Sequence, residues 1–160
     1  MINQLFPNAA DLWPDFWTAT LETLQMTFIT GVIAGILGLI LGVILLMTDE
    51  GGLTPQRLIY TILDKTVNIG RSIPFIILLA VIMPVTRLIV GTSVGTAAVT
   101  VPLVLGTIPF FARQIQNALL EVDPGVVEAA RAMGVGNFGI IYRVYLKEGL
   151  VSIIRASSFT

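Results

Sequence analysis

Cysteine and histidine are both absent from this chain of 160 residues. Their absence excludes disulfides, thiol nucleophiles, zinc sites of the usual Cys/His kind and imidazole acid–base chemistry. Charge is scarce as well. Nine Lys and Arg and ten Asp and Glu make up 12% of the residues, against roughly 25% in a soluble domain. So few charges cannot clothe a soluble globule that is 55% apolar, and a soluble enzyme is close to excluded on that ground. The net charge of −1 supplies no basic field, which removes nucleic acid as a partner.

The charges that exist are spaced widely. Thr23 to Thr48 is 26 residues without one, about 39 Å of helix against a hydrocarbon core of about 30 Å. Leu88 to Ala112 is a second gap of 25 residues, and Ser72 to Thr86 a shorter one of 15 that extends backward through Val67 to Gly70. Arg71 then sits near the interface, its stem reaching toward water. These gaps predict three transmembrane helices over about 24–47, 67–85 and 94–112, joined by a loop over 49–65. Asp11, Asp15 and Glu22 precede the first span with no Lys or Arg, the reverse of a signal-peptide n-region.

Basic residues set the orientation. Segment 1–22 has none and the link between the second and third spans has only Arg87, while 49–71 carries Arg57, Lys65 and Arg71, and 113–160 carries Arg113, Arg131, Arg143, Lys147 and Arg155. The positive-inside rule then predicts an extracytoplasmic N-terminal segment over 1–22 and a cytoplasmic segment over 113–149. Residues 150–160 read as the start of a fourth membrane helix, cut short. The expected fold class is therefore all-α, a polytopic membrane bundle with three complete spans and the beginning of another.

Gly31, Gly35, Gly38 and Gly42 recur at spacings of four, three and four, one small-residue stripe along the first helix. Such stripes let a second backbone approach closely, which is how helices associate in lipid. Pro74 and Pro84 lie in the middle span and Pro102 and Pro109 in the third; they read equally as tolerated kinks or as bends that open a path. No Asp, Glu or Lys lies deep in a span, which disfavours ion-driven transport. Gly134-x-Gly136-x-x-Gly139 matches a dinucleotide fingerprint only by letter, because helix formers rather than a strand precede it. No phosphate-binding loop of the G-x-x-x-x-G-K-[ST] type occurs, and no cofactor or metal is expected in this chain.

Residues 121–149 carry the most information. Asp123 is placed to cap a helix with Pro124 at its first position, and Gly134 to end it in the left-handed conformation. Asn137 is placed to cap a second helix bearing Phe138, Ile141, Val144 and Tyr145. Read from the residues alone this is a helical hairpin, either simply solvated or, given its small Ala129, Ala130 and Ala132, shaped to fit another protein's groove. The run Glu128-Ala129-Ala130-x-x-x-Gly134, followed by Val144-x-Leu146, resembles the EAA loop of type I ABC importer permeases, with Lys147 where that pattern has proline. Glu22–Phe28, Asn68–Leu79, Thr86–Ser93 and Asn117–Val122 further resemble the methionine-importing permeases of that class.

The resemblance implies a permease fold of five spans in the bacterial inner membrane, paired with a second copy as a homodimer. It implies two cytoplasmic ABC ATPase subunits and an extracytoplasmic substrate-binding protein as partners. Glu128, Ala129, Ala130, Gly134, Val144 and Leu146 are the residues it assigns to ATPase coupling, and methionine the substrate. The residues themselves leave open a permease for another small polar solute and a membrane scaffold without transport.

Overall fold

The computed structural model describes residues 13–158, and every described regular element is helical. Helix α1 (Trp13–Thr48) is followed by α2 (Arg57–Ser72), α3 (Phe75–Val90) and α4 (Thr96–Leu120). Then come α5 (Pro124–Ala132), α6 (Asn137–Ile140), a π-helical turn (Ile141–Tyr145), α7 (Leu146–Glu148) and α8 (Leu150–Ser158). Helices α1 and α4 are each long and apolar enough to cross a membrane, and the bent pair α2–α3 makes a third span if counted as one.

The first helix is longer than its charge-free run. It begins at Trp13 rather than near residue 24, passing through Asp15 and Glu22. Its 36 residues span about 54 Å, well beyond a hydrocarbon core of about 30 Å. Two features mark the extension. Thr18, Thr20, Thr23 and Thr27 each donate a hydroxyl to the carbonyl four residues back. Trp13, Phe16 and Trp17 pack on one another, with Trp13 and Phe16 stacked at 5.6 Å, an aromatic group of the kind that sits at membrane interfaces. Residues 1–12 of the expected N-terminal segment lie outside the described residues.

The middle span differs from its expectation. The stretch 67–85 is not one helix: α2 ends at Ser72, Ile73 is extended (φ −77°, ψ 120°), and α3 starts afresh after Pro74, bent by 111° from α2. Proline clashes with an α-helical residue before it and brings no N–H for the ladder, so the chain breaks there. The other three prolines break nothing; α3 runs on through Pro84, and α4 through Pro102 and Pro109. The expected loop over 49–65 likewise shrinks to 49–56, because Arg57 already opens α2.

Helix α4 is the hub, touching α1, α2, α3 and α8. Its contact with α1 is close because of two glycines. A Cβ on Gly42 would lie 2.7 Å from the Ala112 carbonyl oxygen, and one on Gly38 would lie 2.8 Å from the Phe111 Cβ. Gly31 and Gly35, farther up the stripe, have nothing within 4 Å of an added Cβ. There the two helices splay and leave a cleft of about 420 Å³ beside Thr30 and Phe111. Leu46, Ile115 and Leu119 form the core on the near side, and Leu45, Val67 and Ala112 a second cluster where α2 joins.

Candidate functional site

The hairpin over 123–149 is built by its caps. Asp123 accepts a hydrogen bond from the Gly125 backbone N–H at 2.7 Å, and Pro124 fills the first turn, where no intrahelical donor is needed. At the far end Gly134 has φ +77°. Val135 N–H donates to the Ala130 carbonyl at 3.1 Å and Gly134 N–H to that of Arg131 at 2.9 Å, the paired bonds of a Schellman terminus. Val135 also packs on the cluster that holds Ala130. Asn137 differs from its expectation. Gly136 occupies the N-cap position, Asn137 is the first helical residue, and no side-chain cap bond forms.

The residues singled out in this segment divide by burial. Glu128, Ala129 and Gly134 are exposed, whereas Ala130 and Val144 are buried and Leu146 is half-buried. Ala130 therefore meets the chain's own core, with Val127, Ile140, Val144 and Leu53, rather than an outside surface. Glu128 and Arg131 share a turn but form no ion pair; Arg131 instead donates to the Gly52 carbonyl at 3.4 Å. What projects is apolar. Met133, Phe138 and Tyr142 are 76%, 82% and 67% exposed, a tip of large side chains of the kind that marks an interaction surface.

Tyr145 joins this hairpin to the bundle. It packs against the hairpin core and also against the cluster of Leu46, Ile115 and Leu119. Burial raises its phenol above the usual pKa, only partly opposed by the charge of Arg131, so it serves as a neutral packing group. It lies at the end of the π-helical turn over 141–145, a widening of α-helices that is frequent at functional sites. Ser152 on α8 donates to the Glu121 carboxylate at 2.6 Å, closing the base of the hairpin.

Two features of the region escaped the sequence. Leu53, in the short loop after α1, is a member of the hairpin core. The second is a polar cluster between α2 and α4. Arg113 pairs with Asp64, donates to the Asn68 side-chain oxygen at 3.1 Å, and donates to the buried Gln116 at 2.7 Å. Asn68 returns a bond to the other Asp64 oxygen at 3.0 Å. The signal for it was slight: one acid on a mainly polar helix, and one arginine just beyond an apolar run.

Geometry of this kind defines a polytopic helical membrane protein with an extramembrane hairpin locked to its central helix. Residues 34–159 match the family of binding-protein-dependent transport system inner membrane components, and the chain belongs to that family, a membrane-spanning component of transport systems. It is 50% identical over 139 residues to the D-methionine transport system permease protein MetI of Yersinia pestis, covering 87% of this chain and 64% of that one. The corresponding protein of Escherichia coli is 46% identical at the same coverage. The chain thus spans just under two thirds of the length of these relatives. Among solved structures, the inward-facing MetNI methionine ABC transporter superposes with a TM-score of 0.86 at 44% identity, over 91% of this chain and 69% of that one.

Proposed function

We propose that this chain is the permease subunit of an ATP-driven importer, that methionine is its substrate, and that the hairpin over 124–147 is the surface on which a cytoplasmic ATPase subunit docks. The observation that carries the proposal is the hairpin itself: an apolar tip at Met133, Phe138 and Tyr142, set on a core that shares Tyr145 with the bundle. An element that is exposed at one end and packed rigidly at the other transmits a displacement instead of absorbing it. Glu128, Ala129 and Gly134 lie on the outer side of this element, and Ala130, Val144 and Leu146 hold its shape.

On this reading the chain carries no catalytic residues and no cofactor, and hydrolysis belongs to two ATPase subunits. ATP binding draws those subunits together, the hairpins follow, and two copies of the permease alternate access for a solute delivered by an extracytoplasmic binding protein. The relatives' names support methionine. The distribution of Lys and Arg supports an N-terminus outside and the hairpin in the cytoplasm.

The test is reconstitution of the full-length permease with its ATPase and binding protein. ATP-dependent, saturable uptake of labelled methionine is expected, with a cysteine at Thr18 reacting with an impermeant maleimide from outside intact cells and one at Asn137 not reacting. Uptake of another solute with methionine inert contradicts the substrate, and reversed labelling contradicts both the orientation and the docking surface.

A further inference from the structure

The break between α2 and α3 leaves a cavity of about 290 Å³ against α4, lined by Arg71, Phe75, Leu78, Thr107 and Phe110 among others. This is at the lower edge of the roughly 300–1,000 Å³ of small-ligand pockets. Arg71 is the only charged residue in the lining. Its guanidinium lies 5.6 Å from the centre of the Phe110 ring, and no carboxylate pairs with it among the described residues. The one acid facing α4 from α2, Asp64, is already taken by Arg113 and Asn68.

Arg71 is exposed, and beside residues 107–110 of an apolar helix its charge is open to an anion that enters the cavity. Two glycines let the walls around it close on α4. A Cβ on Gly106 would come within 3.0 Å of Leu78, and one on Gly70 within 2.9 Å of Pro109. The first turn of α3 begins on the same wall at Phe75, and the start of a helix that resumes after a break favours negative charge. Phe75, Leu78 and Leu103 supply apolar lining.

We propose that this cavity receives the solute in transit, an α-amino acid with an apolar side chain, and that Arg71 binds its carboxylate. The proposal rests on the permease reading above and adds a residue and a place to it. A planar guanidinium takes a carboxylate with two parallel hydrogen bonds, and the Phe110 ring 5.6 Å away offers it a cation–π contact. The Thr107 hydroxyl is the further polar group within the lining.

These 160 residues have no cysteine; with any cysteine elsewhere in the full-length protein replaced, Thr107→Cys places a single thiol in the cavity. In the assembled full-length importer, the rate at which a neutral maleimide labels that thiol reports occupancy. Methionine is expected to slow labelling and methioninamide, which lacks the carboxylate, is not. Arg71→Gln is expected to raise the half-protecting methionine concentration at least about tenfold, the loss that follows from removing a charge-assisted bond. Arg71→Lys, which keeps the charge without the fork, shifts it less.

Equal protection by methionine and methioninamide, in protein that retains Arg71, overturns the proposal even if Arg71→Gln fails to assemble. Methionine uptake without any protection also overturns it and leaves the permease function standing. Arg71-dependent protection by a different apolar amino acid, with methionine inert in both assays, upholds the cavity and refutes the substrate instead.

Discussion

Leucine at position 42 is expected to drive α1 away from α4. The added Cβ meets the Ala112 carbonyl oxygen at 2.7 Å and the Ile115 Cβ at 2.8 Å. The first of these is backbone in the middle of a helix and yields only if the whole helix moves. Overpacking that a side chain can absorb costs about 1–3 kcal/mol; here the upper end of that range or more is expected, because Gly38 already fixes the same approach at Phe111. Leucine at Gly35 is the control, with nothing within 4 Å of its Cβ in this chain. Thermal unfolding in detergent should show a large fall in midpoint for Gly42→Leu and little change for Gly35→Leu. Equal behaviour of the two variants would mean that α1 and α4 do not pack in this register.

The second large effect is expected at Gly134, on coupling instead of folding. Its φ of +77° is in the left-handed region, where a residue with a Cβ loses roughly 1–2 kcal/mol; a β-branched one is the worst case. Nothing lies within 4 Å of an added Cβ, so the penalty is one of backbone conformation and not of collision. Gly134→Val should therefore leave the bundle inserted and folded while it opens the paired bonds from Gly134 and Val135, which set the angle between α5 and α6. A penalty of that size lowers affinity for the ATPase subunit by about tenfold, and uptake should fall with it. Gly134→Asn should be milder, since asparagine visits this conformation. Glu128→Ala should be milder still, because its exposed carboxylate has no partner among the described residues. Co-purification of the ATPase with each variant checks the order.

Much of the architecture was legible because membrane helices announce themselves by missing charge. The gap at 23–48 falls inside α1, whereas that at 88–112 runs from the end of α3 across the 91–95 loop into α4, and the residues that bound α5, Asp123, Pro124 and Gly134, are local signals read without tertiary context. The break at Ile73 was missed although its cause was in view. Counting charges treats Pro74 as one more apolar residue, whereas the restriction it places on Ile73 governs the chain direction. Glycine spacing indicates a face able to accept a helix but not where along it the partner lies, so Gly38 and Gly42 against α4 could not be told from the open Gly31 and Gly35. The Arg113–Asp64 pair joins positions 49 residues apart, and no pattern in one sequence links them. Leu53, one apolar residue in a short loop, carried no sign that it completes the hairpin core.

The docking role of the hairpin is tested most directly by proximity. With any cysteine outside these 160 residues replaced, Met133→Cys puts one thiol on the exposed tip of the hairpin, and Val94→Cys puts one at the opposite end of α4, where Val94 is 82% exposed. In the assembled complex a short thiol-directed cross-linker should join residue 133 to the ATPase subunit and leave residue 94 unlinked. Adding Gly134→Val to the Met133→Cys protein should reduce the product. Absence of the cross-link from residue 133, or equal yield from residue 94, would contradict the assignment of residues 124–147 as the surface that receives the ATPase.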